Sequence, residues 1–179
     1  MSDPGSTLFL LIDVQDRLYK AMHEKEKLAS SLGILIRGLQ LMGIPMIATE
    51  QYPKGIGPTI PEISGLLESV PVLSKMSFSC WGDPGCREAI SSSDRTRILI
   101  AGIEAHVCVY QTAIDLARSG YEVDIVADAV SSRTPFNRDT GLARMRDRGI
   151  GMTSVEIVLF ELMRTAESEE FRGISKILK

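Results

Sequence analysis

Uninterrupted apolar runs alternate along this chain with longer segments in which apolar residues recur every three to four positions. The runs at residues 8–12 and 97–101 are typical of strands buried on both faces of a parallel sheet. The segments at residues 24–42 and 107–119 have helical spacing, and the glycine that follows each segment ends the pattern. The same criteria predict further strands at residues 45–49, 70–74, 121–126 and 149–152, and further helices at residues 61–68, 85–93, 134 or 137 to about 148, 155–163 and 168–179.

This order of strands and helices predicts one α/β domain over residues 1–179, with three layers (α/β/α) around a mostly parallel, six-stranded sheet. Gly102 is expected to close the strand that precedes it, and Ser154 is expected to cap the helix that follows it. Residues 50–58 are rich in Gly and Pro, which predicts a loop without helix.

Three chemically reactive side chains follow three of the predicted strands. Asp13 comes directly after the first strand, Lys75 after the strand at residues 70–74, and Cys108 in the first helical turn after the strand at residues 97–101. Because the carboxyl ends of parallel strands share one edge of the sheet, where ligands bind in open α/β folds, these side chains are expected to meet there.

The chemistry of this trio is coherent. A thiol needs a base or a nearby cation to become a nucleophile, and the N-terminus of a helix favours the thiolate and donates hydrogen bonds to an oxyanion. Asp13 can take and return a proton, while Lys75 can stabilise the negative charge. A buried inert cysteine, a turn-forming aspartate and a surface lysine remain the alternatives for each residue taken alone.

Composition limits the partners. The chain has 179 residues and a net charge of −3, which argues against nucleic acid and acidic membrane surfaces as partners. The N-terminus has no signal-peptide features, no apolar run is long enough to span a bilayer, and three cysteines are an odd number for a disulfide framework. We therefore expect a cytoplasmic protein with reduced thiols.

The spacing of potential ligands argues against bound cofactors. Five residues separate Cys80 from Cys86, which is not a zinc-binding spacing, and the chain has two histidines. The residues after the first strand, beginning with Asp13, lack the Gly-x-Gly pattern of dinucleotide binders. We expect neither a metal nor an organic cofactor.

The segments at residues 10–15, 49–58, 102–112 and 121–133, together with Lys75, resemble the isochorismatase-like cysteine hydrolases. This superfamily includes nicotinamidases and N-carbamoylsarcosine amidohydrolase. The similarity extends from residue 8 to about residue 163, and residues 49–58 are most similar to isochorismatase-domain proteins of unassigned substrate. The resemblance implies a Rossmann-like hydrolase fold.

The resemblance also implies roles. Cys108 would be the nucleophile, Asp13 the general base and then acid, and Lys75 their electrostatic partner. A cis peptide between Ile103 and Glu104 would aim the Glu104 N–H, with that of Cys108, at an oxyanion. The reaction implied is cleavage of a small amide-type C–N bond through a thioester on Cys108.

The resemblance does not imply the activities of two known kinds of relative. Nicotinamidases hold a metal through an Asp-x-His pair after the second strand, whereas residues 50–53 here read Glu-Gln-Tyr-Pro, with no histidine between His23 and His106. A nicotinamidase-type metal site is therefore not expected. True isochorismatases cleave a vinyl ether and need not use the cysteine, so that activity is not implied either.

The surroundings of the trio are less well determined by the sequence. Tyr52, Phe78 and Trp81 lie on loops where they would wall a small-molecule pocket, or else serve packing or subunit contact. Gln15 is counted with the pocket residues, where it would orient Asp13 or cap the turn, and His106 is treated as structural or pocket-lining because its side chain leaves the helix in a different direction from Cys108.

Two non-hydrolytic functions use the same residues. A thiol redox sensor would need a resolving cysteine, for which Cys80 and Cys86 are the candidates. An assembly protein would keep the hydrolase fold without catalysis. The family resemblance also implies a homo-oligomer, with the helix that follows residue 151 and the C-terminal helix as plausible contacts.

Overall fold

A computed structural model describes residues 3–178, and all the strand pairs in its six-stranded sheet are parallel. The strands are β1 (Thr7–Ile12), β2 (Met46–Gln51), β3 (Val72–Lys75), β4 (Arg97–Ile103), β5 (Glu122–Ser131) and β6 (Gly151–Thr153). Their order across the sheet is β3-β2-β1-β4-β5-β6. The predicted α/β fold with a six-stranded parallel sheet is confirmed.

Helices cover both faces of this sheet. They are α1 (Asp16–Lys20), α2 (Lys25–Leu41), α3 (Pro53–Ile56), α4 (Pro61–Ser64), α5 (Pro84–Ser91), α6 (Tyr110–Arg118), α7 (Pro135–Arg146), α8 (Val155–Met163) and α9 (Phe171–Ile177). One buried cluster lies between the sheet and α2, α8 and α9, and the other between the sheet and α5, α6 and α7. Within residues 3–178, no helix is long and apolar enough to cross a membrane.

Strand β1 explains why the apolar run at residues 8–12 is continuous. Phe9 and Leu11 pack into the cluster under α2, whereas Leu8, Leu10 and Ile12 pack into the opposite cluster. A strand that is covered on both faces has no solvent-facing position for a polar side chain. The polar residue that ends the run, Asp13, therefore marks the edge of the sheet.

The chain reverses its direction of travel across the sheet between β1 and β4. It passes outward from β1 through β2 to β3, then returns to pair β4 with the other side of β1 and continues to β6. The connections after β1 and β4 consequently leave towards opposite faces and open a crevice at the carboxyl ends of these strands. Asp13 and Cys108 follow these two strands.

Gly102 does not close β4, which continues to Ile103. The residue has a φ of +115° and lies at an irregularity in the pairing of β4 with β5. A Cβ atom here would overlap the carbonyl oxygen of Ile12 in the adjacent β1. The glycine thus permits a close approach of two backbones beside the crevice instead of ending the strand.

Several further boundaries differ from the sequence prediction. Strand β5 continues to Ser131, beyond the predicted end at residue 126, and α4 ends at Ser64, before the predicted end at residue 68. Strand β2 extends to Gln51, and the region predicted to be a loop contains the short helix Pro53–Ile56, which begins with the proline that suits a first helical position. The terminal helix is confined to Phe171–Ile177, while Lys179 lies outside the described residues. The predicted cap is confirmed, because the Ser154 hydroxyl accepts a hydrogen bond from the Ile157 amide at 3.2 Å.

Replacing Gly102 with Ala should destabilise the fold by at least about 2 kcal/mol, because the new methyl group meets backbone and the positive φ is unfavourable for alanine. Gly120→Ala is a matched control, since Gly120 has a φ of +93° and no atom lies within 4 Å of the place that a Cβ would occupy. The control should lose about 1 kcal/mol. Equal losses in urea unfolding would contradict the close-approach explanation.

Candidate active site

The structure places Asp13 and Lys75 in direct contact. The Lys75 ammonium donates a hydrogen bond to Asp13 Oδ2 at 2.7 Å, and neither side chain is exposed to solvent. The two residues lie 62 positions apart in sequence and are brought together because they end β1 and β3, on either side of β2. The ion pair therefore depends on the complete sheet.

Asp13 is held at both carboxylate oxygens. Oδ1 accepts a hydrogen bond from the Thr49 hydroxyl at 2.8 Å, and Oδ2 accepts the one from Lys75. The backbone N–H of Asp13 donates to the Thr49 carbonyl at 3.1 Å, and its φ is +52°. Aspartate is among the few side chains that adopt this left-handed conformation readily.

The Lys75 ammonium is surrounded by oxygen atoms. Besides Asp13, it donates to Gln51 Oε1 at 2.9 Å and to the carbonyls of Ser77 and Phe78 at 3.3 and 3.2 Å. Burial by itself lowers the pKa of Lys75, but the Asp13 carboxylate reverses this and leaves the pKa above its ordinary value. Lys75 is therefore a charged group that also fixes the loop after β3.

Cys108 lies on a π-helical turn, Ala105–Val109, that connects β4 to α6. The sequence analysis expected this residue in the first turn of a regular α-helix. π-helical turns are rare and occur often at functional sites. Cys108 is buried, with 6% of its surface exposed.

The surroundings of Cys108 raise the pKa of its thiol. Burial raises its pKa most, the Asp13 carboxylate raises it further, and the positive charge of Lys75 only partly opposes them. The expectation that the start of the helix would favour a thiolate is wrong for this reason: desolvation and a contacting carboxylate outweigh the nearby positive charge. The Asp13 carboxylate is therefore close enough to the Cys108 thiol to raise its pKa.

The peptide bond between Ile103 and Glu104 is cis, at the position that the family resemblance implies. The Glu104 carboxylate accepts hydrogen bonds from the backbone N–H of Arg133 at 3.2 Å and from its Nε at 3.0 Å. Glu104 therefore directs its side chain to the segment after β5, which agrees with the expectation that its backbone faces the site.

His106 and Gln15 connect backbone segments around the site. His106 Nδ1 is 3.0 Å from the Ser132 hydroxyl. The Gln15 amide is fully buried; it donates to the carbonyls of Gln51 and Gly57 and accepts from the Gln51 N–H at 2.7 Å. Gln15 thus joins the segment after β1 to the end of β2 and to the segment around α3.

A cleft of about 360 Å³ lies beside Lys75. This volume is large enough for a small organic molecule. The lining residues of this cleft are Tyr52, Pro53, Lys54, Ser74, Lys75, Met76 and Asp83.

The three aromatic residues expected at the pocket have different positions. Tyr52 lines the cleft and is 47% exposed, and Phe78 is exposed on the loop after β3. Trp81 packs edge-on against Tyr121, with ring centroids 5.4 Å apart, in the cluster under α5 and α6. Tyr52 is thus the one that the cleft includes.

Sequence reasoning missed the contribution of Thr49 and Gln51, which bind Asp13 and Lys75 directly. The end of β2 was predicted two residues too early, which left Gln51 in a loop. A usable signal was present, because a strand adjacent to β1 must place a polar residue beside Asp13 at the edge of the sheet. Thr49 is the partner of Ile12 in that pairing.

The family model of the isochorismatase domain matches residues 7–157. The chain belongs to the isochorismatase-domain family. Isochorismatase domain-containing protein 2 of Danio rerio is 38% identical over 99% of this chain and 89% of its own length. A secreted isochorismatase effector, Isc1, of Phytophthora sojae is 37% identical over 98% of this chain and 86% of its own length.

Solved structures confirm the isochorismatase-like fold. A protein described as MAR1 ribonuclease from Caenorhabditis elegans has a TM-score of 0.92, with 30% identity over 99% of this chain and 91% of its own. The YcaC gene product of Escherichia coli, described as an octameric hydrolase of unknown specificity, has a TM-score of 0.94 with 23% identity over 99% of this chain and 88% of its own. Family membership supports hydrolase activity in general terms.

Removing one partner of the buried ion pair should lower the free energy of unfolding more than removing both charges does. Lys75→Met leaves the Asp13 carboxylate buried without its counter-ion and should cost about 3–5 kcal/mol of unfolding free energy. The double variant Asp13→Asn/Lys75→Met should recover much of this loss. A double variant as unstable as Lys75→Met in urea unfolding would show that the charge is not the cause.

The buried thiols should make the protein less stable at alkaline pH. Burial raises the pKa of Cys80 to about 11 and that of Cys86 to about 12, whereas unfolded thiols titrate near about 8.5. Above that pH the unfolded state releases protons that the folded state retains, so the free energy of unfolding falls as pH rises. Each buried thiol should contribute about 1 kcal/mol per pH unit.

Cys86→Ala tests this titration away from the ion pair. Urea unfolding under reducing conditions should show a shallower alkaline decline for the variant than for the wild type, even though the variant starts from a lower stability at neutral pH. Parallel declines would contradict the assignment.

Proposed function

We propose that this protein is a cysteine hydrolase that cleaves a small amide-type C–N bond through a thioester on Cys108. The observation that carries the proposal is that one buried carboxylate, Asp13, binds the Lys75 ammonium at 2.7 Å and lies close enough to the Cys108 thiol to raise its pKa. A protonated nucleophile, a base in contact with it and a fixed positive charge are the components of base-activated thiol catalysis.

In the first half-reaction, Cys108 Sγ attacks the carbonyl carbon while Asp13 takes the thiol proton. The tetrahedral intermediate collapses, the C–N bond breaks, and Asp13 gives this proton to the leaving nitrogen, so that ammonia or an amine departs. Because the pKa of Cys108 is raised, the thiolate forms only as it attacks, and this makes the adjacent base essential.

In the second half-reaction, water attacks the thioester and Asp13 takes a proton from that water. The C–S bond then breaks, the acid product leaves, and the proton returns to Cys108. Lys75 keeps its proton throughout and opposes the negative charge that passes between Asp13 and the sulfur. We assign the oxyanion hole to two backbone N–H groups: that of Glu104, which belongs to the cis peptide, and that of Cys108, which lies in the π-helical turn.

The substrate we propose is a small molecule bound in the cleft beside Lys75, with Tyr52 on its wall. The net charge of −3 favours this over the phosphate backbone of a nucleic acid. We further propose a homo-oligomer in the cytosol. The exposed side chains of Ile157 and Phe160 on α8 support an apolar contact, and the three free, buried thiols suit a reducing compartment.

A panel of small amides, carbamoyl compounds and hydroxamates should contain a substrate that Cys108→Ala turns over at least about 10³-fold more slowly than the wild type. Asp13→Asn should lose a similar factor. Mass spectrometry of the quenched wild type should detect the acyl group on the peptide that contains Cys108. Cys86→Ala is the matched control, because it removes a buried thiol that lies outside the triad, and it should retain wild-type turnover.

Other outcomes would favour other functions. Turnover by Cys108→Ala would remove the nucleophile assignment. Oxidation of Cys108 by hydroperoxide, with no amide hydrolysed, would favour the redox-sensing alternative, and an oligomer unaffected by Cys108→Ala without any turnover would favour an assembly protein. Cleavage of single-stranded RNA by the wild type would identify a ribonuclease instead.

A further inference from the structure

Thr49 contacts the base of the triad twice. Its hydroxyl donates to Asp13 Oδ1 at 2.8 Å, and its backbone carbonyl accepts from the Asp13 N–H at 3.1 Å. The residue is 1% exposed and lies in β2, where it pairs with Ile12 of β1. One strand position therefore restrains both the backbone and the carboxylate of Asp13.

The Cys80 thiol contacts the Thr49 hydroxyl, which in turn contacts Asp13. A carboxylate only accepts hydrogen bonds, so the single hydroxyl proton of Thr49 belongs to Asp13. The Cys80 thiol, 3.9 Å from Thr49 Oγ1, must then be the donor to Thr49. Cys80 is completely buried, and it therefore takes no direct part in binding a substrate.

The same chain reaches the helix that follows the nucleophile. The backbone N–H of Cys80 donates to the Thr112 hydroxyl at 2.9 Å. Thr112 is fully buried on α6, four positions after Cys108 and thus one helical turn beyond it. Buried polar contacts consequently join Asp13, through Thr49 and Cys80, to α6, the helix that directly follows the turn with Cys108.

We propose that Thr49 is a positioning residue that orients the Asp13 carboxylate towards Cys108, and that Cys80 connects Thr49 to α6, the helix that follows Cys108. The inference rests on the proposed function, since positioning matters only if Asp13 deprotonates Cys108. With Lys75 on Oδ2 and Thr49 on Oδ1, the carboxylate is held in one orientation. Without Thr49, the carboxylate is free to turn about its contact with Lys75.

The test compares Thr49→Val, which keeps the shape of the side chain and loses the donor, with Thr49→Ser, which keeps the donor. The probe is iodoacetamide, and the readout is the alkylation rate of Cys108, followed by peptide mass spectrometry from neutral to alkaline pH. Thr49→Val should react on the order of ten-fold more slowly at neutral pH, the effect expected for losing a hydrogen bond to a charged group. Thr49→Ser should stay within about two-fold of the wild type.

The pH dependence separates positioning from general damage. At alkaline pH, hydroxide supplies the thiolate without Asp13, so the deficit of Thr49→Val should shrink as pH rises. Thr7→Val is the matched control, because Thr7 is a fully buried threonine at the other end of β1 whose hydroxyl donates to a backbone carbonyl. It should lose comparable stability and keep the wild-type alkylation rate.

Cys80→Ala removes the thiol that contacts Thr49 and leaves both contacts between Thr49 and Asp13 in place. It should slow neutral-pH alkylation of Cys108 by about two- to three-fold, and this variant serves if Thr49→Val does not fold. An unchanged rate would remove Cys80 from the arrangement.

The two proposals fail in different ways. If Asp13→Asn is alkylated at Cys108 as fast as the wild type, or faster, Asp13 is not the base and the proposed function falls. If Asp13→Asn is slowed while Thr49→Val matches the wild type, or is faster, then only the positioning role is overturned. A deficit in Thr49→Val that Thr49→Ser shares, or that is constant with pH, would also overturn it.

Discussion

The buried ion pair between Asp13 and Lys75 is the constraint on which the site depends. Two opposite charges without solvent exposure are tolerated because oxygen atoms of Gln51, Ser77 and Phe78 surround the ammonium and the Thr49 hydroxyl satisfies the carboxylate. The pair also couples distant parts of the chain. Strands β1 and β3, separated by β2, must be in register for the two side chains to meet.

The same pair governs the chemistry of Cys108. Burial and the Asp13 carboxylate raise the pKa of the Cys108 thiol, whereas the positive charge of Lys75 lowers it.

Residues that sequence reasoning placed around the trio, as functional or as structural, divide into those that contact Asp13 or Lys75 and those that connect backbone segments and so form the frame of the site. Gln15 and His106 belong to the frame, since the Gln15 amide joins backbone segments and His106 contacts Ser132. Trp81 belongs to the packing under α5 and α6. A pattern of residue types shows which side chains follow strands, but the direction of each depends on packing from several elements.

The sequence by itself determined the α/β class, the number of strands and the meeting of Asp13, Lys75 and Cys108 at one edge, because apolar runs covered on both faces end where the sheet meets solvent. Only the tertiary structure decided the direction of the Cys108 pKa shift, the part played by Gly102 and the contacts of Thr49 and Gln51. Burial, close backbone approach and hydrogen-bond partners arise between strands that are distant along the chain. The local sequence pattern does not encode the distances between strands, so these features could be identified only in the folded sheet.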